Sequence, residues 1–258
     1  MSDILVHRED AILTLTFNRL DKKNAITSAM YATLADELER AADDAEIRVA
    51  VIQGHEEIFT AGNDLADFLS AGPQRANADP ASLPVVRFMK ALHGFPKPVV
   101  AAVCGPAVGI GTTLLLHCDL IYAGDNAAFS MPFINLGVCP EFGSSDILPA
   151  LSGYPKAAEK LLLGEPFYAD EALDMRMINR VLPPAEVNTH ARAQAAKLAA
   201  KPLGALMTSK ALMKKSQAHI AAVIEEEFKH FSQLLVGPAA REAMTAFMEK
   251  RKPDFSKC

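Results

Sequence analysis

Glu141 is the side chain in this sequence whose neighbours best suit it to acid–base chemistry. It lies in Val138-Cys139-Pro140-Glu141-Phe142-Gly143, with Phe133 a little upstream. An apolar setting raises a carboxyl pKa from about 4.3 towards neutrality, which suits a general base. A solvated loop glutamate fits the same segment, so the cue alone leaves both roles open. Two glycine-bearing turns offer complementary chemistry. Phe59-Thr60-Ala61-Gly62-Asn63-Asp64-Leu65 and Gly105–Gly111 each follow a strand-like run and precede a helix-like one. If the turns converge, each presents one backbone N–H to the same atom, and two such donors make an oxyanion hole. Losing one side-chain donor from such a hole costs about 2.7–4 kcal/mol of transition-state stabilisation. Asn63-Asp64 equally fits a capped helix start, and Gly109-Ile110-Gly111 a tight turn without a ligand.

Other chemistries find no support. After Gly109-Ile110-Gly111 the third glycine of a dinucleotide fingerprint is replaced by Leu114, and no P-loop lysine with Ser or Thr follows. Ser144 and Ser145 follow Gly143 without a G-x-S-x-G elbow. The histidines stand singly, with no H-E-x-x-H pair, and His117 is expected to pack at a helix end. Cys104, Cys118, Cys139 and Cys258 lack C-x-x-C spacing and read as free thiols in a reducing compartment. No metal and no redox cofactor is therefore expected.

The 258 residues are half apolar, enough for a sizeable core, and 26 Lys and Arg against 31 Asp and Glu give a net charge of −5. That balance argues against a nucleic-acid partner, which needs clustered positive charge. The runs Val99–Val103 and Leu114–Leu116 are far too short to span a bilayer. Met1-Ser2-Asp3-Ile4 has neither signal-peptide nor transit-peptide character, so a soluble, cytoplasmic protein is expected. Ser256-Lys257-Cys258 resembles a peroxisomal Ser-Lys-Leu address but ends in the wrong residue.

The elements that must position these groups follow from periodicity. Ile4–His7 and Ile12–Phe17 read as a hairpin, the second strand alternating Leu13, Leu15 and Phe17 with threonines. Thr27 or Ser28 caps a helix with Met30, Leu34, Leu38 and Ala41 on one face. Val49–Ile52, Val99–Val103 and Leu120–Ala123 read as buried strands, and Thr112–His117 as helix. Alternating strands and helices predict a layered α/β body. From about Ala157 helix-forming residues dominate to Met248, with Ile178–Leu182 the main strand signal left. The segment 71–82, with Gly72, Pro73, Asn77 and Pro80, is expected to be a mobile surface loop.

Taken together, these motifs resemble the enoyl-CoA hydratase/isomerase (crotonase) superfamily over nearly the whole chain. Asn18-Arg19 through Asn24-Ala25 is similar to the family's N-terminal CoA-contacting turn, and 59–65 to its A-G-x-D-[LI] turn. Val103–Gly111, running on to Cys118–Ala123, is similar to the second turn. Ala246-Phe247-Met248-Glu249-Lys250-Arg251-Lys252-Pro253 is similar to the C-terminal signature. The resemblance implies a crotonase-like α/β fold, a spiral of ββα turns over residues 1–200 holding an acyl-CoA site. A helical oligomerisation region over 201–258 would build trimers, often paired into hexamers.

It also implies the site. The oxyanion donors carry over to the backbone N–H groups of Asn63 and Ile110, and Ala61, Asp64 and Leu65 fall where the family contacts CoA. The two glutamates with which family hydratases hold water correspond here to Thr113 and Phe133. Glu141, in Leu136-Gly137-Val138-Cys139-Pro140-Glu141-Phe142-Gly143-Ser144-Ser145, matches the sole base of peroxisomal-type Δ3,Δ2-enoyl-CoA isomerases. The expected activity is movement of a 3-enoyl-CoA double bond to C2, with CoA entering as part of the substrate. Phe133, Ile134, Leu136 and Phe142 are candidates for an apolar acyl tunnel or plain core, and Lys22, Lys23 and 250–252 for CoA phosphate contacts. A hydratase, hydrolase or lyase acting on another acyl-CoA is the rival reading, and a non-catalytic acyl-CoA sensor or RNA-associated homologue a further one.

Overall fold

The computed structural model describes residues 2–70 and 82–258, so most of the loop expected at 71–82 lies outside the described residues. The expected hairpin forms from β1 (Ile4–Glu9) and β2 (Ile12–Phe17). Both residues between them, Asp10 and Ala11, have positive φ, the combination whose twist matches that of the flanking strands. Thr27 caps α1 (Ser28–Asp43) by accepting from Met30 N, and its buried face is Met30, Tyr31, Leu34, Ala35, Leu38 and Ala41.

From β3 onward one unit recurs: a long strand, a short strand, then a helix. β3 (Val49–Gln53) leads to an extended stretch whose Thr60 bridges Ala107, then to α2 (Leu65–Ser70). After α3 (Pro84–His93), β4 (Val99–Val103) leads to β5 (Pro106–Val108) and α4 (Ile110–Thr113). β6 (Leu120–Gly124) leads to β7 (Ala128–Ser130). With β9 at Arg180–Leu182, the long strands join a six-stranded sheet in the order β1-β2-β3-β4-β6-β9, parallel apart from the hairpin. The short strands form a second sheet, β5-β7-β8, with β8 at Phe167–Tyr168. This is the spiral of ββα turns that the resemblance implied.

The period of two sorts each strand between two cores. Ala50 and Ile52 face the main core, whereas Val49 and Val51 join Val100, Ala102 and Tyr122 on the opposite face. That second face is covered by α8 (Pro184–Ala199) through Val187, Ala191 and Ala195, small residues four apart that bring helix and sheet close together.

Two expectations change in extent. The helix expected at 112–117 divides into α4 and a 3-10 turn, Leu114–His117, with buried His117 at its end. The strand expected at 178–182 is ordered as β9 only over Arg180–Leu182; just before it, Asn179 donates its N–H to Ile121 O at 2.8 Å and accepts from Ile121 N through Oδ1 at 2.6 Å. Helices α5 (Ser144–Ser152), α6 (Tyr154–Leu163) and α7 (Ala169–Asp174) precede β9. After α8 come α9 (Leu203–Met213), α10 (Gln217–Leu235) and α11 (Pro238–Met248).

Candidate active site

The two turns lie side by side. Phe59 N and Thr60 N both donate to Pro106 O, and Val108 N donates back to Thr60 O at 3.0 Å. Gly62 has φ +84°, and a Cβ there would sit 2.6 Å from the Val108 carbonyl oxygen, so only glycine lets the turns approach this closely. The first turn is braced from behind. Thr60 Oγ1 donates to Asn24 O at 2.6 Å and accepts from Gly62 N at 3.1 Å, while Asn24 Nδ2 donates to Phe59 O at 3.0 Å.

Within that turn, Ile26 N bonds Gly62 O and Asp64 N bonds Ile26 O, so this bridge leaves the N–H of Asn63 itself outside the pairing. Ile110 opens α4, and the first N–H of a helix has no acceptor within it. Gly109 turns the chain into α4 with φ +57°, its own N–H held by Ser130 O at 2.8 Å. Both sequence-predicted donors therefore sit on adjacent turns.

Asp64 is both a helix cap and an ion-pair partner. It caps α2 by accepting from Ala66 N and Asp67 N, and it accepts from Arg19 Nη1 at 2.7 Å. The Asp67 N–H and then the Arg19 guanidinium hold its carboxyl below the usual range. Arg19 also donates to Ala25 O, tying the 18–25 segment to the turn. Ala61 is half-buried and donates its N–H to Lys23 O, and half-buried Leu65 is the first residue of α2. Tyr31 of α1 donates to Asn63 Oδ1 at 2.6 Å.

Glu141 is brought to the far end of α4. Thr113, the last residue of the helix that Ile110 opens, donates its hydroxyl to Glu141 Oε1 at 2.5 Å. Glu141 is 9% exposed, and burial raises its pKa to about 8. The Thr113 hydroxyl opposes that rise, and the nearby Glu227 carboxylate adds to it. Its backbone is fixed by Ser144 Oγ, which donates to Glu141 O at 2.7 Å. The carboxyl thus stands near neutrality, able both to take and to return a proton.

The apolar candidates separate. Phe133 is buried beside Gly109, 4.0 Å from where a Cβ would stand. Phe142 belongs to the core, stacked on His117 at 3.8 Å between ring centroids. Ile134 is exposed and Leu136 half-buried. Of the basic residues considered for phosphate, Arg251 is paired with Glu242 and Glu249.

Sequence reasoning missed three partners. By resemblance Thr113 reads only as a lost glutamate, although counting along the helix from Ile110 places it one turn below. Tyr31 lies outside the helix face read from the sequence, and nothing local reports where its hydroxyl bonds. Glu227 left one signal, an acidic residue in the apolar stripe Ile220, Ile224, Phe231 of α10. Among the described residues no cluster of His, Cys, Asp and Glu could hold a metal ion.

Comparison with known proteins agrees with this architecture. A family model described as enoyl-CoA hydratase/isomerase matches residues 7–257. Enoyl-CoA delta isomerase 2 of Rattus norvegicus is 37% identical over 97% of this chain, which spans 64% of that longer protein. The 2,3-dehydroadipyl-CoA hydratase of Escherichia coli is 34% identical over 99% of both chains. The crystal structure of an enoyl-CoA hydratase/isomerase from Pseudoalteromonas atlantica superposes with a TM-score of 0.91, covering 98% of this chain and all of that one at 35% identity. A match along this whole length, on a spiral with two abutting turns and a buried glutamate, means that the chain belongs to the enoyl-CoA hydratase/isomerase family, the crotonase superfamily.

Proposed function

We propose that this enzyme is an enoyl-CoA isomerase that moves the double bond of a 3-enoyl-CoA to the 2-position with Glu141 as its one base. The thioester carbonyl oxygen is held by the N–H groups of Asn63 and Ile110, which stabilise the dienolate formed as a C2 proton leaves. Glu141 takes that proton and returns it to C4, so the double bond shifts from C3 to C2. Nothing is added to or lost from the substrate, and the only groups the step requires are a base and an oxyanion hole. CoA enters as part of the thioester, and no further cofactor is needed. Ala61, Asn63, Asp64, Leu65 and Ile110 border the CoA end. The Asp64 carboxylate is engaged by Arg19 and the α2 cap, and its N–H by Ile26 O, so this residue shapes the turn.

The observation that carries this reading is the Glu141–Thr113 pair. A hydratase holds its water between two carboxylates, and the partner of Glu141 here is a hydroxyl. Phe133, at the second of those positions by resemblance, is an apolar ring. A hydroxyl cannot supply the second base that addition of water requires.

Exposed apolar residues on the last helices, among them Leu212, Met213, Val236, Phe247 and Met248, favour a homotrimer or hexamer built through the 201–258 region. Light scattering after size exclusion measures that directly.

Proton NMR of trans-3-hexenoyl-CoA with wild type and Glu141→Gln tests the chemistry. Conversion to the 2-enoyl product by wild type, lost in the variant while acyl-CoA still binds, is the expected result. Formation of a 3-hydroxyacyl product instead would support the hydratase reading, which the whole-length similarity to the Escherichia coli hydratase favours. Saturable binding without conversion would point to a sensor.

A further inference from the structure

Helix α10 carries one acidic residue inside its apolar stripe. Ile220, Ile224, Glu227 and Phe231 fall at the spacing of a single helix face, and Glu227 is buried there. A buried carboxylate requires donors, and Glu227 finds them in the segment that carries Glu141. Its Oε2 accepts from Gly143 N at 2.6 Å. Its Oε1 accepts from Ser145 N at 3.0 Å and from Ser145 Oγ at 2.6 Å. Its backbone carbonyl takes the Cys139 thiol at 3.8 Å. One residue of the C-terminal helices therefore grips the chain two positions before Glu141 and two positions after it.

That stretch of chain needs an external hold. Phe142 and Gly143 have φ values of +59° and +73°, two left-handed residues in succession, the first of which is not glycine. In this conformation the N–H groups of Gly143 and Ser145 converge on one acceptor, and the Glu227 carboxylate occupies that position. The turn is also pressed onto α10, since a Cβ on Gly143 would stand 3.0 Å from Ile220 Cγ2.

We propose that Glu227 is a positioning residue for the base: by fixing the left-handed turn at Phe142-Gly143 from α10, it keeps the Glu141 carboxyl on Thr113. The proposal deepens the isomerase reading and rests on it, because it assigns Glu227 a role through Glu141 and no contact with substrate.

The experiment compares wild type with Glu227→Ala, Glu227→Gln and, as a control on the exposed neighbour, Glu226→Gln. Turnover of trans-3-hexenoyl-CoA is measured beside the Kd for hexanoyl-CoA, which has no double bond to move. Hydrogen exchange at the Gly143 and Ser145 amides and the cooperativity of thermal unfolding complete the set. Glu227→Ala is expected to lose about 10²-fold in kcat while KM and Kd stay within roughly threefold, the pattern of a displaced catalytic group. The two amides should exchange faster in that variant. Glu227→Gln, which keeps the shape and one acceptor oxygen, should recover part of the loss, and Glu226→Gln should match wild type. A folded Glu227→Ala with wild-type kcat would overturn the proposal. So would parallel loss of kcat, binding and cooperative unfolding in both Glu227 variants, which would make the residue a packing element. Failure of the isomerase reading itself looks different: wild type would then bind hexanoyl-CoA and leave the 3-enoyl substrate unchanged.

Discussion

The Thr113 hydroxyl donates to Glu141 Oε1 across 2.5 Å, joining the last residue of the helix that Ile110 opens to a carboxyl 28 positions later. This single contact couples the proposed oxyanion side of the site to its base. It also moderates the pKa of that base, since a donor facing a carboxylate favours the ionised form and offsets part of the cost of burial.

Replacing Thr113 by Val should remove that donor while keeping the shape. The Glu141 midpoint then moves above 8, and kcat/KM at pH 7 falls about 10- to 100-fold, the worth of a charge-assisted hydrogen bond of about 1.5–3 kcal/mol. The pH–rate profile is the check. An acidic limb that stays in place or moves lower contradicts the assignment.

In wild type the same carboxyl should give kcat/KM an acidic limb with its midpoint near pH 8, levelling off only above it. Stability should run the other way. Glu141 has a folded pKa raised above its ordinary 4.5, so protonation contributes stability fully below about pH 4.5, lost as pH rises through 8. Denaturant unfolding of wild type and Glu141→Gln at pH 5 and pH 9 isolates this: the variant should be the flatter of the two. Equal slopes would mean that the carboxyl titrates normally.

Gly62→Ala should damage the site and the fold together. The left-handed backbone costs a non-glycine residue about 1–2 kcal/mol, and the added methyl meets Val108 O at 2.6 Å. A lower Tm with a larger loss in kcat than in acyl-CoA affinity is expected. Unchanged turnover would show that the spacing of the two turns does not matter to the reaction.

His117 predicts the acid behaviour of the fold. Burial drives its pKa down to about 3, and its ring stacks on Phe142 while bonding Phe142 O at 2.7 Å. With the folded pKa below the unfolded 6.5, stability is fully present above pH 6.5 and is lost as pH falls towards 3. His117→Gln, which retains a donor, should flatten that dependence between pH 6.5 and 4 in urea titrations. A slope equal to wild type would assign the acid loss to other groups.

Much of the layout was legible in the residues. Val49–Ile52, Val99–Val103 and Leu120–Ala123 read as strands because their apolar runs end at glycine or at polar residues, and all three lie in the central sheet. Thr27 or Ser28 reads as a cap because either hydroxyl can satisfy an early helical N–H, and Thr27 is the one that does so, with Met30. The 3-10 turn after Thr113 was not legible, since three leucines in a row suit either helix. Nor was the second role of Asp64, because Arg19 meets it from 45 residues away.

The sequence by itself determined the alternation of strands and helices, the glycines that permit left-handed backbone at Gly62 and Gly109, and the placing of Glu141 among apolar neighbours. These depend on local sterics and on short-range patterning, which a residue and its near neighbours carry with them. Only the tertiary structure decided that the two turns abut, that Thr113 faces Glu141, and that Glu227 closes on the loop from 84 and 82 residues away at Gly143 and Ser145. Those contacts depend on how the spiral stacks one turn on the next, and it is full burial there, which the local pattern left open beside a solvated loop, that raises the pKa of the base.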